Sequence, residues 1–475
     1  DFHAQLPRVF SRTGYAGDFF MVGQWFPKLG VWQDGAWNAY PYYPNAEFYA
    51  DFGTYDVSIT LPAGYVTGAT GLPVSTVDNG DGTQTVRYRA ENVIDFAWAA
   101  SPRFRQATRQ ITLPPPTRGR VGEVVECVYL YLSEHAWSVK RVLDASEVAL
   151  RHYSEWYGPY PYARLTVVDV PDDGEGAGGM EYPMLITAGP MSLIGWGNWP
   201  IRAGIDRSLE IVIVHEIGHQ WWQSVVAFNE AEEPWLDEGF TDYSTVRAMS
   251  AAYGADTSAL AGGGTRVGYL DMRRLEYLIN PRTPMYGKAW EFGMLEYGIA
   301  AYSKPALALT TLERTLGEET MLDVMRAFFE RYRFAHPTTG DFHAVAEEVS
   351  GQDLSWFFDG LVYGDGVLNY TVAAVEEHSV TVERQGDLAI PTEVLVTFAD
   401  GSTVLEPWDG LETPQTFAYP DRPAIRSAEV DPQRKIVIDL RWADNGLSRR
   451  LQISPLLALI TRILYNYQNA LLGGL

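Results

Sequence analysis

Two histidines and two carboxylates stand at spacings that can do chemistry. His215 and His219 are four positions apart, so on an α-helix both imidazoles leave one face and can meet at one ion. Glu216 follows the first histidine, where its carboxylate can reach a water on that ion. Glu238 comes after eighteen further residues and can supply a third ligand. Two imidazoles and one carboxylate suit zinc better than magnesium or calcium, which prefer all-oxygen shells. Three protein ligands leave a fourth position open, the mark of a catalytic rather than a structural zinc.

These groups need rigid elements. The stretch from Leu209 to Val214 is apolar with one acid, as in a helix buried against a core. A second helix is expected to begin at Pro234-Trp235-Leu236-Asp237-Glu238-Gly239-Phe240 and to run to about Ser250, bringing Glu238 in from an antiparallel neighbour. The competing reading is a pair of core histidines with no ion between them. It leaves the adjacent Glu216 and the placed Glu238 without a reason.

The pattern resembles a family. HExxH, eighteen residues, then Glu within Trp-Leu-Asp-Glu-Gly-Phe is similar to the gluzincin aminopeptidases, the group of aminopeptidase N and the leukotriene hydrolase-aminopeptidase. Gly178-Gly179-Met180-Glu181-Tyr182 resembles their GxMEN exopeptidase motif. Tyr302-Ser303-Lys304-Pro305-Ala306 resembles the YxKGA segment that holds their catalytic tyrosine. Trp156-Tyr157-Gly158-Pro159-Tyr160-Pro161-Tyr162 also has the family's look. The likeness runs over roughly 130–370 with specific motifs, and more weakly over 15–130. Two positions depart from it: Tyr182 stands where asparagine is usual, and Pro305 where glycine is usual.

The resemblance implies one zinc held by His215, His219 and Glu238, with Glu216 as general base. It implies Tyr302 as the donor to a developing oxyanion, with Tyr297 its nearest competitor. Glu181 would pair with a substrate's free α-ammonium, and Gly178 and Gly179 would let an extended substrate backbone approach. Gln24, in Gly23-Gln24-Trp25-Phe26-Pro27, would line the pocket for the first residue; a plain strand-edge glutamine is the alternative. The expected activity is zinc-dependent removal of the N-terminal residue from peptides with a free N-terminus. A zinc endopeptidase and a silent relative serving as a peptide-binding or scaffolding module are the other readings. Retention of Glu216 and all three ligands speaks against silence, and Glu181 in its glycine-rich frame against an endopeptidase.

Composition bounds these readings. The 475 residues are long enough for three domains, with 46% hydrophobic and 20% charged residues, the balance of a globular chain. Net charge is −24, which argues against nucleic acid as a partner. Cys127 is the one cysteine, so no intrachain disulfide can form, and its apolar strand context predicts a buried, inert thiol. No run of eighteen apolar residues marks a membrane span, and no signal-peptide pattern opens the chain. The first residue is Asp1, which suggests missing upstream sequence that held any signal or anchor and favours an extracytoplasmic or membrane-associated setting.

Pattern shifts along the chain predict a multidomain α+β protein. Residues 1–133 read as an N-terminal β-domain, partial relative to the family. Residues 134–366 read as a thermolysin-like, mainly helical catalytic domain. Residues 367–445 read as a small Ig-like β-sandwich, with Ala399-Asp400-Gly401-Ser402 as a hairpin signal. In 446–475 the apolar residues follow helical spacing with Arg449, Arg450 and Arg462 among the polar positions. That predicts an amphipathic helix, packed on protein or touching a membrane surface peripherally.

Overall fold

The computed structural model describes the chain except residues 10, 34, 42, 44, 48, 116–121, 190–203, 263 and 450–475, within which only 457, 460–462 and 464 are placed. The described chain forms two compact units. One comprises Asp1–Tyr277, Met285–Leu309 and Glu318–Gln352; the other comprises Leu278–Pro284, Thr310–Gly317 and Asp353–Leu475.

The first unit opens with β-structure. Gly14–Ala16, Phe19–Val22, Trp98–Ser101 and Val66–Ala69 form an antiparallel sheet in that order. Gly53–Pro62, Thr83–Val93 and Leu72–Asp78 form a second. The turn joining the last two in sequence falls at 79–82, where Gly80 and Gly82 take φ of 75° and 87°. A four-stranded sheet then leads into the helices: Arg105–Thr112, Val124–Tyr131, Arg164–Asp169 and Leu185–Ala188. Its first pair is antiparallel and the next two are parallel. The β-region and this sheet share one apolar core, in which Phe19, Met21 and Phe104 meet Val128, Leu130 and Val168.

Helix Val139–Trp156 buries one face and donates a hydrogen bond from Tyr153 Oη to Val214 O at 3.1 Å. Val214 belongs to the next helix, Ser208–Gly218, which carries the HExxH run and is buried on all but one of its residues. Trp221, just beyond it, donates to Gly158 O at 2.8 Å. The Trp-Tyr-Gly-Pro-Tyr segment thus braces the end of the HExxH helix.

The helix expected from Pro234 begins differently. Trp235–Gly239 is a π-helical turn, and the α-helix proper is Phe240–Tyr253. A second π-turn, Gly298–Ser303, precedes helix Lys304–Leu316. Ahead of the Gly178–Tyr182 motif, a 3₁₀ segment occupies Asp172–Ala177.

In the second unit, Leu368–Val375, Ser379–Gly386 and Gln415–Ala418 make one antiparallel sheet, and Thr403–Trp408, Thr392–Phe398, Ile425–Val430 and Gly446–Ser448 make another. Strand Thr392–Phe398 buries every second residue, the alternation of a half-covered sheet. Gly446–Ser448 corrects the expected start of the terminal helix: its backbone pairs with Ser427–Glu429 as an edge strand. The rest of the expected helix lies outside the described residues, apart from the five helical positions named above. Among the described residues, no helix is long and apolar enough to cross a membrane.

Candidate active site

The HExxH helix and the first π-turn bring three donor groups together. His215 Nε2 lies 3.2 Å from His219 Nε2 and 3.1 Å from Glu238 Oε2, and His219 Nε2 lies 3.3 Å from the same oxygen. All three residues are buried. An ion with bonds of ~2.0–2.1 Å in tetrahedral coordination has ligand edges of ~3.3–3.4 Å, so this near-equilateral triangle fits zinc in both size and donor type.

Carboxylates on the far side of each ring fix its orientation. Asp237 Oδ1 bonds His219 Nδ1 at 2.6 Å. Asp242 Oδ1 stands 3.5 Å from His215 Nδ1, accepts from Tyr269 Oη at 2.6 Å and is held through its other oxygen by Arg273 Nε at 2.7 Å. Such partners set which ring nitrogen is left for the metal. Burial lowers the proton affinity of His215, but Asp242 and Glu238 outweigh it and raise its pKa to about 9. Glu238 is held well below the usual carboxylate range; burial opposes this, and His219 and His215 overcome it. The same negative field that favours protonated rings favours a divalent cation once the protons leave.

Glu216 is 6% exposed and is pushed up to about 7, first by burial. A Cβ on Gly179 would sit 3.5 Å from Glu216 Oε1, so that glycine faces the carboxylate directly. Gly179 has φ +68°, a conformation side chains disfavour. Its amide donates to Thr187 O at 3.0 Å, and Met180 bridges Thr187 antiparallel. Gly178 to Glu181 therefore run along the edge beyond strand Leu185–Ala188. Gln220, next to His219, clamps this edge to the metal-bearing helix. Its Oε1 accepts from Met184 N at 2.8 Å and its Nε2 donates to Tyr182 O at 3.1 Å.

Glu181 lines a cavity with Gln24, Glu47, Met180, Tyr182 and Gln223. Its carboxyl is pushed well above the usual range by burial and then by Glu47. Gln24 also lines this cavity, from a left-handed backbone position with φ 54°.

Tyr302 and Tyr297 separate clearly. Tyr302 Oη donates to Glu238 Oε1 at 2.5 Å, and its ring stacks on His215 with centroids 5.8 Å apart. Tyr297 Oη instead donates to Glu230 Oε1 at 2.8 Å. Both departures from the usual motifs find packing reasons. Pro305 lies against Gly239, where an added Cβ would come 2.4 Å from Pro305 Cβ; proline carbons occupy the space beside the residue after Glu238. Tyr182 is buried in the core shared with the β-region, its hydroxyl 2.0 Å from where a Cβ on Gly23 would lie.

Sequence reasoning missed Asp237 and left Asp242 without a role. Their signal was local, since one precedes Glu238 and the other follows it by four positions on the same helical face. It also missed Gln220, Glu47 and Glu230. Glu47 and Glu230 meet across 183 positions, and no spacing rule reaches that far.

A buried triangle of two imidazoles and a carboxylate, with a free carboxylate at its side and a phenol on one ligand, defines a metallohydrolase-type centre. The comparisons with known proteins agree. Residues 141–361 match the model of the peptidase family M1 domain. Aminopeptidase M1-C of Oryza sativa subsp. japonica is 26% identical over 226 residues, 45% of this chain and 24% of that protein. Aminopeptidase B of Mus musculus is 28% identical over 190 residues, 39% of this chain and 27% of that protein. Leukotriene A-4 hydrolase of Xenopus laevis is 27% identical over 215 residues, 43% of this chain and 33% of that protein. The crystal structure of Legionella pneumophila aminopeptidase A in complex with aspartic acid superposes with a TM-score of 0.66 at 16% identity, over 92% of this chain and 49% of that one; the fold is shared. Residues 141–361 are thus similar to the peptidase family M1 domain, and their relatives by sequence are aminopeptidases and a leukotriene A-4 hydrolase. The matched stretch spans only 24% to 33% of these curated relatives' length.

The donor set makes a first expected result. Purified protein should hold about one zinc per chain by elemental analysis, and His219→Ala should lose it, since two ligands bind far more weakly than three. A full zinc complement in His219→Ala would remove this residue from the ligand set.

Proposed function

We propose that the chain is a zinc-dependent aminopeptidase that removes the N-terminal residue of peptides. The observation that carries this reading is the edge from Gly178 to Glu181. Gly179 faces Glu216, and Glu181 stands two residues further along, at a cavity closed by side chains of the β-region. Both carboxylates therefore border one short stretch of edge, Gly179 to Glu181, which suits an amine held close beside the hydrolytic base.

His215, His219 and Glu238 would hold the zinc, which when bound would supply an activated water and a Lewis acid for the scissile carbonyl. Glu216 accepts the water's proton and delivers it to the leaving amine. Tyr302 turns its hydroxyl from Glu238 to the developing oxyanion. The Gly178–Gly179 backbone, free of side chains, receives an extended substrate as an added strand. Gln24 lines the space for the first side chain. Glu181 holds the α-ammonium; an incoming cation favours the charged carboxylate that burial alone disfavours.

Acetylation of the substrate tests this assignment. Wild-type protein should cleave peptides with a free amine and nearly ignore matched acetylated ones. Glu181→Ala should lose mainly the free-amine activity, roughly 10²-fold or more in kcat/KM for a charge-assisted, partly desolvated contact, with zinc unchanged. Efficient cleavage of internal bonds in acetylated peptides by the wild type would replace the aminopeptidase reading with an endopeptidase.

A further inference from the structure

Glu230 has no counterpart among the motif residues, yet it joins three segments of the site wall. It is 3% exposed. Oε2 accepts from the backbone N of Glu47 at 3.0 Å, and Oε1 accepts from Tyr297 Oη at 2.8 Å. Arg12 secures the first of these segments by donating to Ala46 O at 2.7 Å and pairing with Glu47 at 2.8 Å. The third segment is the helical stretch that ends in the π-turn of Tyr302. The rings of Tyr297 and Tyr302 meet nearly edge-on, 6.1 Å apart at 70°. Ala46, Ala231 and Ala289 form one buried cluster, with Tyr297 and Trp290 packed against it, so the three segments share a core.

We infer that Glu230 is a positioning residue for Tyr302. It clamps Tyr297 to the β-region, and Tyr297 sets the placement of the Tyr302 ring. The inference rests on the reading of Tyr302 as oxyanion donor. A carboxylate suits the task because both groups it meets can donate. An amide keeps the clamp only by accepting from Glu47 N and donating to the Tyr297 oxygen, which the phenol permits. A methyl group keeps neither bond.

The test is a double-mutant cycle on zinc-loaded full chain, with kcat and KM measured on one aminoacyl-coumarin substrate. Glu230→Ala and Tyr297→Phe should each lower kcat about 10- to 100-fold, the scale of a small misplacement of a catalytic group. KM should stay within about threefold, because Arg12 still holds Ala46 and Glu47 and Glu181 itself is unchanged. Glu230→Gln should restore most of kcat. On a Tyr302→Phe background, Glu230→Ala should cost little more, since the group it positions is gone; non-additivity of this kind marks residues that act together. Full additivity on that background would overturn the inference, and so would a loss confined to KM for free-amine substrates, which would place Glu230 in amine recognition. Should Tyr302→Phe itself be fully active, the oxyanion reading falls; a kcat loss in Glu230→Ala that persists in that case would show the residue acting by another route, and the inference would fall with it. Equal zinc content and equal melting temperature across the set separate positioning from simple loss of fold.

Discussion

Glu216→Gln should keep its fold and a full zinc complement and lose roughly 10²–10⁴-fold in kcat, the usual worth of a general base. The amide has the same shape as the carboxylate and can still form hydrogen bonds, but it cannot take up and release a proton. Glu216 makes no edge of the donor triangle, which His215, His219 and Glu238 complete between them, so zinc retention is expected. Its carboxylate faces Gly179, on the edge along which the proposed substrate would lie. Elemental analysis and steady-state kinetics on the same preparation decide the matter. A zinc-replete Gln variant with wild-type kcat would leave this carboxylate no role in the reaction.

Tyr302→Phe should spare zinc and cost roughly 10²–10³-fold in kcat, the loss that follows removal of one oxyanion donor. Phenylalanine preserves the ring that stacks on His215, so packing is held constant while the hydroxyl bonded to Glu238 disappears. Substrate affinity should change little, because the hydroxyl is engaged by Glu238 in the resting site and, in the proposed mechanism, would meet substrate only as charge develops. Tyr297→Phe is the control, with a smaller loss transmitted through ring placement. A fully active Tyr302→Phe beside a dead Tyr297→Phe would exchange the two assignments.

Much of the site was legible because its parts repeat on local periods. Four residues on a helix bring His215 and His219 to one ion, and eighteen more carry the chain round to Glu238. The glycine-rich frame of Glu181 and the tyrosine before Ser303-Lys304 were readable as short motifs of the resembled family. The β-region before the helices and the hairpin about Asp400-Gly401 were legible from alternation and turn chemistry. Contacts closed by tertiary folding were not legible. Glu47 reaches Glu230, and Gln24 reaches the cavity of Glu181, only after the N-terminal sheet docks on the four-stranded one. The π-turns were also hidden. The apolar spacing around Trp235 and Ile299 is compatible with an ordinary helix, and the wider turn is selected by packing, as where Gly239 meets Pro305. The strand at Gly446–Ser448 was masked by the helical spacing of the apolar residues that follow it.

Glu238 and Tyr302, bonded to each other, each sit in one of those wider turns. A π-turn is an α-helix carrying one residue too many, so the direction in which both side chains point is set by residue count as well as residue type. Losing a single residue from Trp235–Gly239 or Gly298–Ser303 would close the bulge into a regular helix and re-aim the side chains within it, while the helix on either side kept its register. Local backbone hydrogen bonding would improve while ligand and phenol turned away from the ion. Alanine replacement of the apolar neighbours in these turns leaves that count intact and will pass over the dependence; shortening the chain by one position will expose it.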